Sequence, residues 1–117
     1  MEPVYRWVFG KIEDERNFIP QFLKNPKRFL TEDDLTKCKA LGLSLFNDLE
    51  GSIERFNELK KYIGDKVYGT LGDRVAIGKL VDIEGVNGEI ERLGHFTHHS
   101  AVAADYTHNF ILSEKEL

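Results

Sequence analysis

A chain of 117 residues, 41% hydrophobic and 31% charged, has the composition of one folded unit covering residues 1–117, not of a disordered or fibrous protein. The net charge of −4 is mild, and the basic residues are scattered apart from Lys24, Lys27 and Arg28, which argues against a nucleic-acid partner. The single cysteine, Cys38, rules out an internal disulfide and four-sulfur zinc patterns, and no apolar run approaches the length of a membrane span.

Val4 to Phe9 is short, aromatic and β-branched and is closed by Gly10, the composition of a strand covered on both faces. Tyr5, Trp7 and Phe9 then share one side, and Arg6 shares the other with Val4 and Val8. Two roles fit Arg6: an edge residue whose stem packs while its head reaches water, or a guanidinium aimed into a pocket to hold an anion. The stretch from Gly10 to Lys27 is polar and broken by Pro20 and Pro26, and reads as a long surface loop. Thr31 with Glu32, Asp33 and Asp34 opens a helix whose apolar side is Leu35, Cys38 and Leu41, with Cys38 as a buried, reduced thiol. Gly42 ends that helix, and Leu43 to Phe46 follows as a short buried strand. Asn47, with Glu50 three positions later, caps the strongest helix, in which Leu49, Ile53, Phe56, Leu59 and Ile63 form one stripe and Gly64 is the stop.

Beyond a glycine-containing link from Tyr68 to Asp73, the period changes to alternation from Arg74 to Ile83, which predicts a strand. Glu84 to Gly88 supplies residues that tolerate positive φ, so a hairpin turn is expected there, with a return strand from Ile90 toward Leu93. His95 to Val102 and Tyr106 to Leu112 read as a further pair of strands around Ala103 to Asp105. The predicted class is α+β, a mostly antiparallel sheet of about five strands carrying two helices.

Chemistry points to the histidines, since His95, His98, His99 and His108 are the only ones in the chain and fall in one short stretch. In a strand, His95, Thr97 and His99 lie on one face, and Phe96, His98 and Ser100 on the other. His95 and His99 are then about 13 Å apart, so a metal would have to recruit His108 from a neighbouring strand together with His98 or His99. A helix over the same stretch would line His95, His98 and His99 along one face, but Phe96, Thr97 and Val102 suit a strand and no cap precedes His95. Ser44, His99 and Asp105 make a Ser/His/acid set on paper without support from their spacing. No phosphate-cradling or nucleophile-elbow motif is present.

The run from Cys38 to Phe46, the acid-capped helix after it and Gly94 to Thr97 together resemble a group of small bacterial proteins with no established activity. That resemblance spans most of the chain from Tyr5 onward and implies a bacterial, single-domain, intracellular protein. The layout is also similar to ADP-ribosyltransferase-type folds. There an early strand offers an arginine or histidine to NAD, the place Arg6 matches, and a Gly-x-Ser or Gly-x-Tyr-like strand precedes a helix, as Gly42 to Phe46 precedes Asn47 to Tyr62. The acid that such enzymes carry on a late strand has no counterpart, because Glu114 and Glu116 fall in the polar tail and Glu89 and Glu91 flank a turn.

The leading reading is a small binding or interaction module whose protein or small-molecule partner contacts a histidine-rich surface formed by Arg6, Ser44, His95, His98, His99 and His108. The alternatives are a small enzyme acting on a nucleotide, with Ser44 donating a hydrogen bond and a histidine as acid or base, and a metal-binding protein using the C-terminal histidines. No catalytic residue, metal ligand or cofactor is assigned. Met1 to Tyr5 lacks a basic segment followed by an apolar one, so the expected location is the cytoplasm with no membrane partner. Exposed sheet edges are compatible with a homodimer.

Overall fold

The computed structural model describes residues 3–20, 27, 30–79, 85–100 and 110–117. The β-branched, aromatic run at the start forms β1 (Val4–Val8), whose alternation buries Val4, Arg6 and Val8 and leaves Tyr5 and Trp7 half-buried. The chain continues through a 3-10 turn at Glu15–Phe18, α1 (Asp34–Ala40), β2 (Leu43–Phe46), α2 (Leu49–Ile63) and a second 3-10 turn at Gly64–Lys66. Then come α3 (Val67–Thr70), β3 (Arg74–Gly78), β4 (Gly85–Asn87), a 3-10 turn at Arg92–Gly94, β5 (His95–Ser100) and β6 (Phe110–Glu116). Among the described residues six strands form one sheet in the order β4-β5-β2-β1-β3-β6, with every described pairing antiparallel. The chain is thus α+β with an antiparallel sheet, as expected, and the short β4 extends it at one edge.

Residues opposite one another in an antiparallel ladder share a face, so the register sorts the side chains. Val4, Arg6, Val8, Leu43, Leu45, Ala76, Phe96, His98 and Phe110 lie on the first face. Its apolar members form the core cluster, with Ile12 and Phe18 packed against them from the segment after β1. The described part of the stretch expected as a surface loop is therefore a cover. Its centre is Asn17, only 1% exposed, whose side chain accepts from the Phe9 N–H at 2.6 Å and donates to the Lys11 carbonyl at 2.7 Å. A polar side chain that satisfies backbone groups in this way lets an irregular segment be buried.

The second face carries Tyr5, Trp7, Ser44, Phe46, Val75, His95 and Thr97 and is covered by α2. Trp7 lies 5.1 Å from Phe46 and meets Phe56 of α2 edge-on at 5.4 Å, while its indole N–H donates to the Ser52 carbonyl. Phe56, the centre of the predicted stripe, is fully buried, and Gly64 ends α2 at φ 67 as the sequence led one to expect.

Several local expectations are overturned. The cap of α2 is Asp48, whose carboxylate accepts the Gly51 N–H, while the Asn47 side chain lies against Gly94 instead. In α1 Leu35 is exposed, as is Leu41 just beyond it, so the predicted apolar side is not a buried one, and the Cys38 side chain lies outside the described residues. Gly85 to Asn87, expected as a hairpin turn, is a strand paired with β5, and the predicted strand from Ile90 to Leu93 is replaced by a turn. β6 takes in Glu114 and Glu116 of the expected polar tail and pairs with β3, so β2, β1 and β3 separate it from β5. Alternation identifies a strand without naming its neighbour, which is why these pairings were not legible.

Candidate functional site

Ser44 sits in the middle of β2 opposite Thr97 of β5, and two residues along Phe46 stands opposite His95. Side chains two residues apart on adjoining strands are diagonal neighbours, so the Ser44 hydroxyl and the His95 ring share the second face within reach of each other. They are hydrogen-bonded through Ser44 Oγ and His95 Nε2. The other ring nitrogen, Nδ1, is 2.6 Å from Glu91 Oε1. An ionised carboxylate can only accept, so with a neutral ring Nδ1 carries the proton and Nε2 presents its lone pair to the Ser44 hydroxyl. Phe46 meets the imidazole at a steep angle, with centroids 5.3 Å apart, and holds its plane.

The turn before β5 delivers Glu91 to this position. Leu93 adopts the left-handed conformation, φ 61 and ψ 20, followed by Gly94 at φ 81. The reversal brings residue 91 back against residue 95, with the Glu91 N–H bonded to the His95 carbonyl at 2.6 Å. A left-handed non-glycine residue costs roughly 1–2 kcal/mol, so the surroundings must hold it. One restraint is Arg92, which grips the Glu58 carboxylate of α2 with both terminal nitrogens, at 2.8 and 2.5 Å. The Arg92 guanidinium, with Arg55 behind it, holds the Glu58 carboxyl at about 2, far below the usual carboxylate range. Gly51 is another, because a Cβ there would collide with the Leu93 carbonyl oxygen.

Ser44, Glu91 and His95 open onto a cavity of about 410 Å³ lined further by Trp7, Phe46, Leu59, Arg55 and Arg92. The walls combine two aromatic rings and a leucine with two guanidinium groups, and the one carboxylate among the lining residues is committed to His95. Such a mixture, largely apolar with a few convergent polar groups, is the usual make-up of a small-molecule site.

The other residues singled out from the sequence do not join them. Arg6 is neither an edge residue nor a lining residue of this cavity. β1 is a central strand, and Arg6 is 7% exposed on the first face, where Nε donates to the Asn17 carbonyl at 2.6 Å and NH1 to the Ser44 carbonyl at 2.8 Å. The described β1–β2 ladder contains the single pair Tyr5–Phe46, which leaves the Ser44 carbonyl available to the guanidinium. His98 is buried on the first face, with Nδ1 2.6 Å from Asn87 Oδ1, and burial followed by the nearby His99 lowers its pKa. His99 shares the second face with His95 but lies over Gly42, away from the cavity. His108 and Asp105 lie outside the described residues. Among the described residues, no group of three or more His, Cys, Asp and Glu is placed to hold a metal ion.

Glu91 is the residue of this cavity that reading the sequence missed. Its place four residues before His95 was the available signal, but the strand expected from Ile90 to Leu93 would have carried it away from the ring. Among the described residues no helix is long and apolar enough to cross a membrane. No family model, curated protein or solved structure matches the chain.

Proposed function

We propose that the protein is a small-molecule-binding module whose ligand occupies the cavity between β2, β5 and α2, an organic anion with an apolar or aromatic body. The observation that carries this reading is the convergence, on one concave surface, of Trp7, Phe46 and Leu59 with Arg55, Arg92 and the hydrogen-bonded Ser44–His95 pair. The rings and leucine supply area for an apolar body, and the two guanidiniums, which share the single Glu58 carboxylate, leave a net positive charge for an anionic end. The binding surface inferred from the sequence thereby moves from a histidine cluster to a cavity that uses one of those histidines.

Trp7 is the only tryptophan in the chain and lines the cavity, so its emission reports on occupancy. Titration with benzoate or phenyl phosphate is expected to change Trp7 fluorescence along a saturating curve. A linear response equal to that of free N-acetyltryptophanamide contradicts the reading.

A further inference from the structure

We propose that Ser44 is a nucleophile toward carboxylic esters and that the cavity forms a covalent acyl-Ser44. The inference rests on the ligand reading of the cavity and goes beyond binding to a reaction. Nucleophilic catalysis by a hydroxyl requires a base within hydrogen-bond reach, and a third group that fixes the base in the right tautomer. Both conditions are met atom by atom: Ser44 Oγ bonds His95 Nε2, and His95 Nδ1 bonds the Glu91 carboxylate. These are the roles of the hydrolase triad, reached on a different chain layout, with the serine on a strand in place of a sharp turn.

In the reaction Ser44 Oγ attacks the ester carbonyl carbon as its proton passes to His95 Nε2. The tetrahedral adduct collapses, the bond from carbon to the alkoxy oxygen breaks, and the proton on Nε2 goes to the departing alcohol. Water, deprotonated by the same nitrogen, then attacks the acyl carbon, and the proton returns to Ser44 as the carboxylic acid leaves. Glu91 stays ionised throughout and stabilises the imidazolium, so it is a positioning residue. Arg55 and Arg92 line the cavity and share the Glu58 carboxylate, Arg55 through NH1 alone, so Arg55 is the lining cation with donors left for the charge growing on the carbonyl oxygen. Apolar walls from Trp7, Phe46 and Leu59 favour an ester with an aromatic or short aliphatic body.

The test is incubation of the whole chain with p-nitrophenyl acetate, following nitrophenolate release and mapping the acetylated peptide by mass spectrometry. The expected result is a burst of one nitrophenolate per chain and acetyl on Ser44, lost in Ser44→Ala and formed about 100-fold more slowly in His95→Gln. Free imidazoles and amines also react with this ester, so acetyl on a histidine or lysine with none on Ser44 overturns the proposal. So does a Ser44→Ala variant that releases nitrophenolate at the wild-type rate. Peptide mapping of the wild-type chain needs no variant to fold. A saturable benzoate signal at Trp7 without acetyl-Ser44 removes the nucleophile and leaves the ligand reading intact, whereas absence of both removes both. Acetyl-Ser44 with no saturable Trp7 response retains the nucleophile and removes the anion-binding chemistry assigned to the cavity.

Discussion

Ser44 serves both faces of the sheet with different atoms. Its carbonyl accepts from the buried Arg6 and its hydroxyl bonds His95, so one residue ties the loop-covered core to the cavity. Arg6 satisfies carbonyls of β2 and of the covering segment, work that composition alone presents only as an out-of-place charge. The histidines divide by the same alternation that the sequence made visible, His95 and His99 on one face and His98 on the other. His98 bears directly on stability. Burial holds its folded-state pKa below the ordinary value of 6.5, so the unfolded chain binds the proton more readily. Its contribution is fully present above about pH 6.5 and declines as pH falls toward the lower folded value. Urea midpoints compared between neutral and mildly acidic pH should show this loss, and it should shrink in His98→Gln. An acid-induced loss of the same size in His98→Gln contradicts the assignment.

At the scale of elements, the turn between β4 and β5 and the first turn of α2 make one unit. Asp48 caps the helix, Asn47 binds Gly94, and Gly51 leaves room for the Leu93 carbonyl. The helix itself was legible, because its stripe and terminal Gly64 obey local rules. The turn was not, since its left-handed Leu93 is held by contacts with α2 and not by a local preference. Gly51→Ala sets two effects against each other. Alanine in a helix gains about 1 kcal/mol over glycine, while overpacking costs about 1–3 kcal/mol. The obstructing atom is a backbone carbonyl, which cannot swing aside, so the collision prevails. Gly51→Ala is therefore expected to lower stability by up to about 2 kcal/mol and to displace the His95 ring resonances. Unchanged stability with an undisturbed His95 spectrum contradicts this coupling.

Across the whole molecule, the order of strands decides which chemistry is brought together. Placing β5 beside β2 joins His95 to Ser44 although 51 residues separate them, while placing β6 beside β3 removes it from β5, where a shared metal site would have needed its neighbour. The class, the two principal helices and most strands could be read from periodicity, and so could the faces of individual residues. Strand order could not, because it depends on which apolar faces are closed by α2 and by the segment around Asn17, contacts with no signature in local spacing. Ser44 and His95 were thus visible as separate candidates, but their partnership and Glu91's share in it belong to the tertiary structure. The most direct measurement is the tautomer of the neutral His95 ring by long-range proton–nitrogen NMR. The proton is predicted on Nδ1, facing Glu91, with Nε2 unprotonated toward Ser44; a ring protonated on Nε2, or one averaging freely between the two forms, would contradict the account.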